Sequence, residues 1–147
     1  IVFAQKFPTT SGLGKIVPTN IISPDELPDQ EFPFVLTTGR LLEHWHTGAM
    51  TRRSVALDKI EPEAVVSMNS SDMDILKLQP GNKVKVETRR GSINLSVRKD
   101  RELPKGMIFI PFCFNEAAAN KLTNPQLDPY GKIPEFKYCA ARVQINN

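Results

Sequence analysis

The stretch KVKVETRRGSINLSV, residues 83–97, alternates polar and apolar side chains on both sides of a short turn. Valine, isoleucine or leucine stands at positions 84, 86, 93, 95 and 97. Successive side chains of a β-strand point to opposite faces of the sheet, so this pattern buries one face and exposes the other. It predicts a β-hairpin that turns at Arg90-Gly91.

Short runs rich in β-branched and aromatic residues predict four further strands, at residues 34–38, 64–68, 107–112 and 138–145. After the second of these, Asn69 is expected to cap a short helix, and Asp72 to return the bond as in a capping box. Six short strands with one or two short helices are typical of a compact β-barrel. The sequence therefore predicts a mainly β fold that starts near Phe34.

The composition favours a small anionic ligand. The formal net charge is +3, and the positive residues occur in scattered pairs such as Arg52-Arg53, without the long run that a polyanion requires. The chain has no stretch approaching the ~20 apolar residues of a membrane span, and its start lacks a signal peptide's basic end and apolar segment. Five prolines in residues 1–33 predict an extended lead-in. With the missing initial methionine, these features suggest a soluble piece of a longer protein.

No catalytic set is visible in the sequence. Cys113 and Cys139 have no CxxC or CxxH companion, so they are expected to be small buried hydrophobes rather than metal ligands. A Ser-His-Asp set with triad context, a Walker loop and a GxGxxG motif are all missing. The residues alone therefore favour a binding module.

The stretch TTGRLLEHWHTG, residues 37–48, holds both histidines and the only tryptophan. Three interpretations remain open: a metal site, a structural corner and a ligand cradle. Zinc needs four ligands, and beyond His44 and His46 the chain has no further histidine, so we expect no metal here. In a cradle, glycine lets the backbone approach an anion while threonine hydroxyls and Arg40 bind phosphate oxygens.

Two segments carry a resemblance to a known family: TTGRLLEHWHTGAMTRR, residues 37–53, and NEAAANKLTNPQLDPYGKIPEFKYCAARVQ, residues 115–144. They resemble the C-terminal molybdopterin-dinucleotide-binding domain of formate dehydrogenase catalytic (alpha) subunits, in the dimethyl-sulfoxide-reductase superfamily. The resemblance implies a six-stranded double-psi β-barrel with short helices over residues 34–147. Residues 1–33 resemble the extended connector from the preceding domain. The first segment is shared with periplasmic nitrate reductases, whereas the second favours formate dehydrogenase.

The resemblance also implies which residues contact the cofactor, molybdopterin guanine dinucleotide. The loop from Thr38 to Thr47 corresponds to the family's phosphate- and pterin-contacting loop, and three distant residues join it. The expected cofactor-binding residues are Thr38, Gly39, Arg40, Leu41, Leu42, Glu43, His44, Trp45, His46, Thr47, Phe112, Asn120 and Lys137. Arg52 and Arg53 are left outside this set, since a solvated helix face fits them equally well.

No catalytic residue is expected in this chain, because the family's metal ligand and iron–sulfur cysteines belong to earlier domains. The parent enzyme would hold the bis form of the cofactor with Mo or W and oxidise formate to carbon dioxide, and the isolated chain would be inactive. Its expected partners are the other domains of the catalytic subunit and iron–sulfur or other electron-transfer subunits, without nucleic acid or a membrane span. The expected compartment is the cytoplasm, with the periplasm as an alternative for the parent.

Three other functions remain as alternatives. The chain could be the same domain of a nitrate reductase, or a stand-alone dinucleotide-binding subunit of a related molybdenum or tungsten enzyme. An RNA- or protein-binding barrel is less favoured, because the hairpin carries valine and isoleucine where such a barrel interleaves aromatic and basic residues.

Overall fold

Six strands form the framework: β1 (Phe34–Gly39), β2 (Val65–Met68), β3 (Lys83–Thr88), β4 (Gly91–Lys99), β5 (Met107–Pro111) and β6 (Cys139–Ile145). The structure, a computed structural model, describes residues 2–146. The strands close into a barrel in the order β1-β5-β2-β4-β3-β6. The pairs β1/β5 and β2/β4 are parallel, and the remaining neighbours are antiparallel. The predicted fold class, a mainly β six-stranded barrel with short helices, is confirmed.

The predicted hairpin is present, but its turn lies one residue earlier than expected. Thr88 pairs with Gly91 across the β3/β4 ladder, so Arg89 and Arg90 form the turn. Gly91 is the first residue of β4 in the ladder. Another segment passes close to it, since a Cβ there would lie 3.3 Å from the carbonyl oxygen of Lys121. The glycine thus marks a close backbone approach rather than the turn itself.

Two short helices, α1 (Val55–Ile60) and α2 (Ser70–Ile75), connect the strands. Asn69 caps α2 as predicted, because its Oδ1 accepts a hydrogen bond from the Ser71 amide at 2.9 Å. The expected return bond from Asp72 was wrong. Its buried carboxylate instead accepts a hydrogen bond at 2.7 Å from the amide of Gly106, which ties α2 to the turn before β5. Among the residues described, no helix has the length and apolar character needed to cross a bilayer.

The barrel interior is filled by the inward-facing apolar side chains of the strands. Leu36, Val66, Val84, Ile108 and Ile110 are all fully buried. Both cysteines are free thiols that pack in this core, as the sequence predicted. Burial raises the pKa of each thiol to about 11, which keeps both protonated at neutral pH.

Residues 2–33 contain neither a helix nor a strand, and their last part lies against the β3/β4 hairpin. The buried ring of Phe32 is contacted by the guanidinium groups of Arg89 and Arg142, at 4.6 and 4.9 Å from the ring centre. Glu26 forms ion pairs with both turn residues, Arg89 and Arg90. Cation–π contacts and ion pairs therefore attach this segment to the barrel.

Candidate functional site

Three chain segments meet at one end of the barrel. Strands β1 and β5 are parallel and in register, with Gly39 opposite Pro111, so the loops that follow them start side by side. Strand β6 runs antiparallel to β1, with Cys139 opposite Leu36, so the residues before β6 reach the same end. The topology thus gathers positions that are up to 99 residues apart.

These segments enclose a cavity of about 620 Å³. The residues that line it are Thr38, Arg40, His46, Thr47, Phe112, Asn120, Phe136 and Lys137. The loop after β1 and the three distant positions selected by sequence therefore lie around one space. A smaller cavity of about 180 Å³ adjoins it and shares Thr47, Phe112 and Asn120 as its wall.

The wall formed by the residues before β6 is held to β1 by two hydrogen bonds. Lys137 Nζ donates to the carbonyl oxygen of Thr38 at 2.5 Å, and Thr38 Oγ1 donates to the carbonyl oxygen of Phe136 at 2.8 Å. The Lys137 ammonium also lies 5.9 Å from the ring centre of Phe112. Sequence reasoning missed Phe136, and its only signal was an aromatic residue directly before the selected lysine.

The loop after β1 presents Arg40 and His46 together. Arg40 Nη2 lies 3.2 Å from His46 Nε2, and because arginine can only donate, this imidazole nitrogen is the acceptor. His46 adopts a left-handed backbone conformation, with φ of 50°. The Trp45 ring packs edge-on against His46 at 4.9 Å and lies 5.9 Å from the Arg40 guanidinium. Trp45 thus contacts two cavity residues without lining the cavity.

His44 differs sharply from its neighbour because its side chain is buried, with 1% exposure. Its Nε2 lies 2.8 Å from the carbonyl oxygen of Glu61 and must therefore donate the bond, while Nδ1 has no partner among the described residues. Its ring packs edge-on against Phe114 at 5.6 Å. This geometry is that of a structural corner linking the loop to the residue after α1.

The remaining selected residues do not line the cavity. Gly39 ends β1 where the Phe109 ring covers the backbone, and a Cβ there would lie 2.5 Å from that ring. Leu41 packs against the core, Glu43 is half-buried and Leu42 is 97% exposed. The structure thus divides the loop into residues that face the cavity and residues that anchor or surround it.

The cavity is cationic. Arg40 and Lys137 lie on its wall, and no carboxylate is among the described residues that line it. Thr47 and Asn120 add neutral hydrogen-bonding groups, and Phe112 and Phe136 add aromatic surface. Such a donor set can bind phosphate oxygens and pack against a planar ring. Within residues 2–146, no group of three or more His, Cys, Asp or Glu side chains could hold a metal ion.

Comparison with known proteins agrees with this chemistry. Residues 34–140 match the model of the family described as "Molydopterin dinucleotide binding domain". The chain belongs to this family. The matched region begins at β1 and ends inside β6, so it contains all three segments that enclose the cavity.

Among sequence relatives of this molydopterin dinucleotide binding domain are the F420-dependent formate dehydrogenase subunit alpha of Methanocaldococcus jannaschii, 44% identical, and F420-dependent formate dehydrogenase 1 subunit alpha of Methanococcus maripaludis, 43% identical. Each match covers 98% of this chain but 21% of the relative. The chain thus spans about a fifth of the length of the curated relatives it matches. Acetylene hydratase from Pelobacter acetylenicus superposes with a TM-score of 0.71 at 21% identity, covering 80% of this chain and 19% of that one, which shows a shared fold.

Proposed function

We propose that this molydopterin dinucleotide binding domain holds molybdopterin guanine dinucleotide in the 620 Å³ cavity, as part of a formate dehydrogenase alpha subunit. The observation that carries the proposal is the meeting of Arg40, Lys137 and Asn120 around one cavity in a chain of this family. A dinucleotide contains a pyrophosphate, and charge-assisted hydrogen bonds are the strongest means a protein has of binding it.

Each cavity residue has a role that follows from its chemistry. Arg40 would offer a planar fork of N–H donors to phosphate oxygens, and Lys137 a point charge with several donors. Thr47 and Asn120 would complete the hydrogen bonds that orient the ligand. Phe112 and Phe136 would pack against a ring of the pterin or the base.

The other selected loop residues would act on the ligand through the loop. Gly39 and Leu41 would set the direction in which the loop leaves β1, and Glu43 and Leu42 lie on its outer part. His44 anchors the loop to Glu61, and Trp45 holds Arg40 and His46 from outside. These residues would order the loop before the ligand arrives, which reduces the entropic cost of binding.

The parent enzyme would carry out the chemistry elsewhere in its chain. When bound, the cofactor, in its bis form with Mo or W, supplies the two-electron redox chemistry that converts formate to carbon dioxide. The relatives named as F420-dependent formate dehydrogenase alpha subunits, at 40–44% identity, support this substrate and suggest the same electron acceptor. Residues 1–33 would form the connector to the preceding domain, and residues 34–147 the binding domain. The two buried cysteines are free thiols, which fits a cytoplasmic parent enzyme. The parent would work with electron-transfer subunits.

The test is to purify the full-length subunit that contains this chain, release its cofactor with acid and identify the nucleotide by mass spectrometry. We expect a pterin and a guanine nucleotide, and formate oxidation with F420 or an artificial acceptor. A double Arg40→Ala, Asn120→Ala variant should retain less of both compounds. Full retention in that variant, or a full-length subunit without any pterin nucleotide, would overturn the proposal.

A further inference from the structure

Arg52 makes three contacts, and those with Glu116 and Phe114 join two separate segments of the chain. Its Nε lies 3.2 Å from Asp58 Oδ1, and its Nη1 lies 2.7 Å from Glu116 Oε2. Its guanidinium also lies 4.7 Å from the ring centre of Phe114, a fully buried side chain. The Arg52 side chain is 24% exposed, whereas Asp58 is 38% and Glu116 54% exposed, so solvent screens both ion pairs and the contact with buried Phe114 is the most shielded of the three.

The two segments form adjoining walls of the cavity, because the loops after β1 and β5 start side by side. Arg52 and Asp58 belong to the chain after β1, which carries Arg40, His46 and Thr47. Phe114 and Glu116 belong to the chain after β5, which carries Phe112 and Asn120. Thr47, Phe112 and Asn120 also form the wall between the larger and the smaller cavity. The contacts of Arg52 with Phe114 and Glu116 therefore link the two walls of the cavity.

The local backbone is arranged for this crossing. Gly48 has φ of 75°, and a Cβ there would lie 2.7 Å from the carbonyl oxygen of Cys113 and 2.8 Å from Arg52 Cγ. Glycine thus allows the loop, the Arg52 side chain and the chain after β5 to pack at one point. From the same loop, His44 contacts the Phe114 ring, so this ring is contacted by two side chains of the other wall.

We propose that Arg52 is a positioning residue that holds the two walls of the cavity at the separation the ligand requires. A guanidinium suits this task because its planar fork can bond Asp58 in its own wall and Glu116 in the other wall at once, whereas a lysine ammonium is a point charge on a flexible stem. The sequence analysis left Arg52 outside the site, because a solvated helix face fitted it equally well. The identity of the ligand rests on the proposed function, but the wall-holding role does not.

Arg89 provides a matched control. It too pairs with two carboxylates, Glu26 and Asp29, and lies 4.6 Å from a phenylalanine ring, that of Phe32. These contacts join residues 26–32 to the hairpin and involve no cavity residue. Arg52→Gln and Arg89→Gln thus remove the same kinds of contact at two places, and only one of these places is a cavity wall.

The experiment measures hydrogen exchange by mass spectrometry in the full-length subunit prepared without cofactor. We expect Arg52→Gln and Glu116→Gln to raise the exchange rate of residues 40–48 and 112–120 by roughly fivefold or more. Exchange in the barrel strands should not change. Arg52→Lys keeps the positive charge and should therefore recover part of the protection. Arg89→Gln should raise exchange only around residues 26–32 and the hairpin. If Arg52→Gln does not fold, Arg52→Lys and Glu116→Gln give the same comparison.

A second measurement on the loaded enzyme links the walls to the ligand. The rate of cofactor loss during dilution should rise several-fold in Arg52→Gln and Glu116→Gln, and remain near wild type in Arg89→Gln. Unchanged exchange of both walls, or equal cofactor loss in the Arg52 and Arg89 variants, would overturn the inference. If the wild-type subunit holds no dinucleotide, the proposed function fails, and the exchange data still decide whether Arg52 joins the walls.

Discussion

Lys137 Nζ donates a hydrogen bond at 2.5 Å to the carbonyl oxygen of Thr38, a residue 99 positions earlier in the chain. The contact fixes the entry to β6 over the end of β1 and places a positive charge on the cavity wall. An ammonium group has three N–H donors, and Thr38 uses one of them. Two donors therefore remain for an anionic ligand, which makes Lys137 both a structural link and a candidate ligand contact.

Lys137→Ala should weaken cofactor retention in the full-length subunit by about 1.5–3 kcal/mol, the usual cost of losing a hydrogen bond to a charged group. The measurement is the pterin content that survives stepwise dilution. Lys132→Ala is the control, because Lys132 Nζ also donates to a carbonyl oxygen, that of Pro129 at 3.0 Å, but does not line the cavity. Equal retention in the two variants would contradict a ligand contact for Lys137.

The same substitution should change the free energy of unfolding far more at His44 than at His46. His44→Asn removes most of a buried ring and its bond to Glu61, and should lower the free energy of unfolding by about 2 kcal/mol or more. His46 is exposed and has φ of 50°, a conformation that asparagine tolerates, so His46→Asn should change it by about 0.5 kcal/mol or less. Urea denaturation of the chain measures both, and a larger effect at His46 would contradict their assignment.

The elements that sequence predicted well are those whose pattern depends on local burial. All six strands could be predicted from local sequence patterns, because each strand buries one face or both. The patterns were the alternation at residues 83–97 and the apolar runs of β1, β2, β5 and β6. The burial of His44 and the position of His46 on the cavity wall could not be predicted in this way. This difference depends on which side chain meets Glu61 and Phe114, and both belong to distant parts of the chain.

Tertiary contacts also explain the local errors. Asp72 has the right spacing for a capping box, but its carboxylate instead accepts a hydrogen bond from the amide of Gly106. Gly91 appeared to be a turn residue because glycine is common in turns, whereas in the structure it lies in the ladder, where the carbonyl oxygen of Lys121 would be in tight contact with a Cβ. The grouping of Asn120 and Lys137 with the loop was predicted through family resemblance and not from periodicity, since periodicity carries no information on which strand ends meet.

Gly39→Ala should destabilise the chain by about 1–3 kcal/mol, because its Cβ would lie 2.5 Å from Cε2 of Phe109 and force the ring to move. Phe109→Leu removes the atoms that clash. The double variant should therefore be more stable than the sum of the two single changes predicts, as a thermodynamic cycle in urea can show. Strict additivity would mean that the close approach of the ring is not what requires glycine at this position.

The two buried thiols should make the chain lose stability at alkaline pH. Their pKa values rise from 9.0 to about 11 on folding because burial disfavours the thiolate. The folded state therefore keeps these protons while the unfolded state releases them, so this contribution is complete below pH 9 and is lost as the pH rises towards 11. The Cys113→Ala, Cys139→Ala variant should show a shallower decline in its urea midpoint between pH 8 and 10.5. Parallel declines would contradict the prediction.

Residues 26–32 should detach from the hairpin in acid. Burial alone would raise the pKa of Glu26, but hydrogen bonds and charge from Arg90 and Arg89 hold it below its usual value. A carboxyl with a lowered pKa contributes stability above its ordinary pKa of 4.5, and this contribution is lost as the pH falls through the folded value. Hydrogen-exchange protection of residues 26–32 should therefore be maintained from pH 7 down to the ordinary pKa of 4.5 and drop as the pH falls further.

Glu26→Gln should already show reduced protection at pH 7 and change less than wild type in acid, where Asp29, paired with Arg89, still loses its charge, whereas Glu102→Gln, at an exposed side chain, should behave as wild type. Arg90 bonds both Glu26 and the carbonyl oxygen of Leu122, the latter from Nε at 3.0 Å. Loss of the Glu26 carboxylate frees part of this guanidinium, so residues 118–124 should lose some protection as well. If residues 26–32 stayed protected in Glu26→Gln, the cation–π contacts of Phe32 and the ion pairs of Asp29 and Glu31 would be sufficient to hold the segment in place.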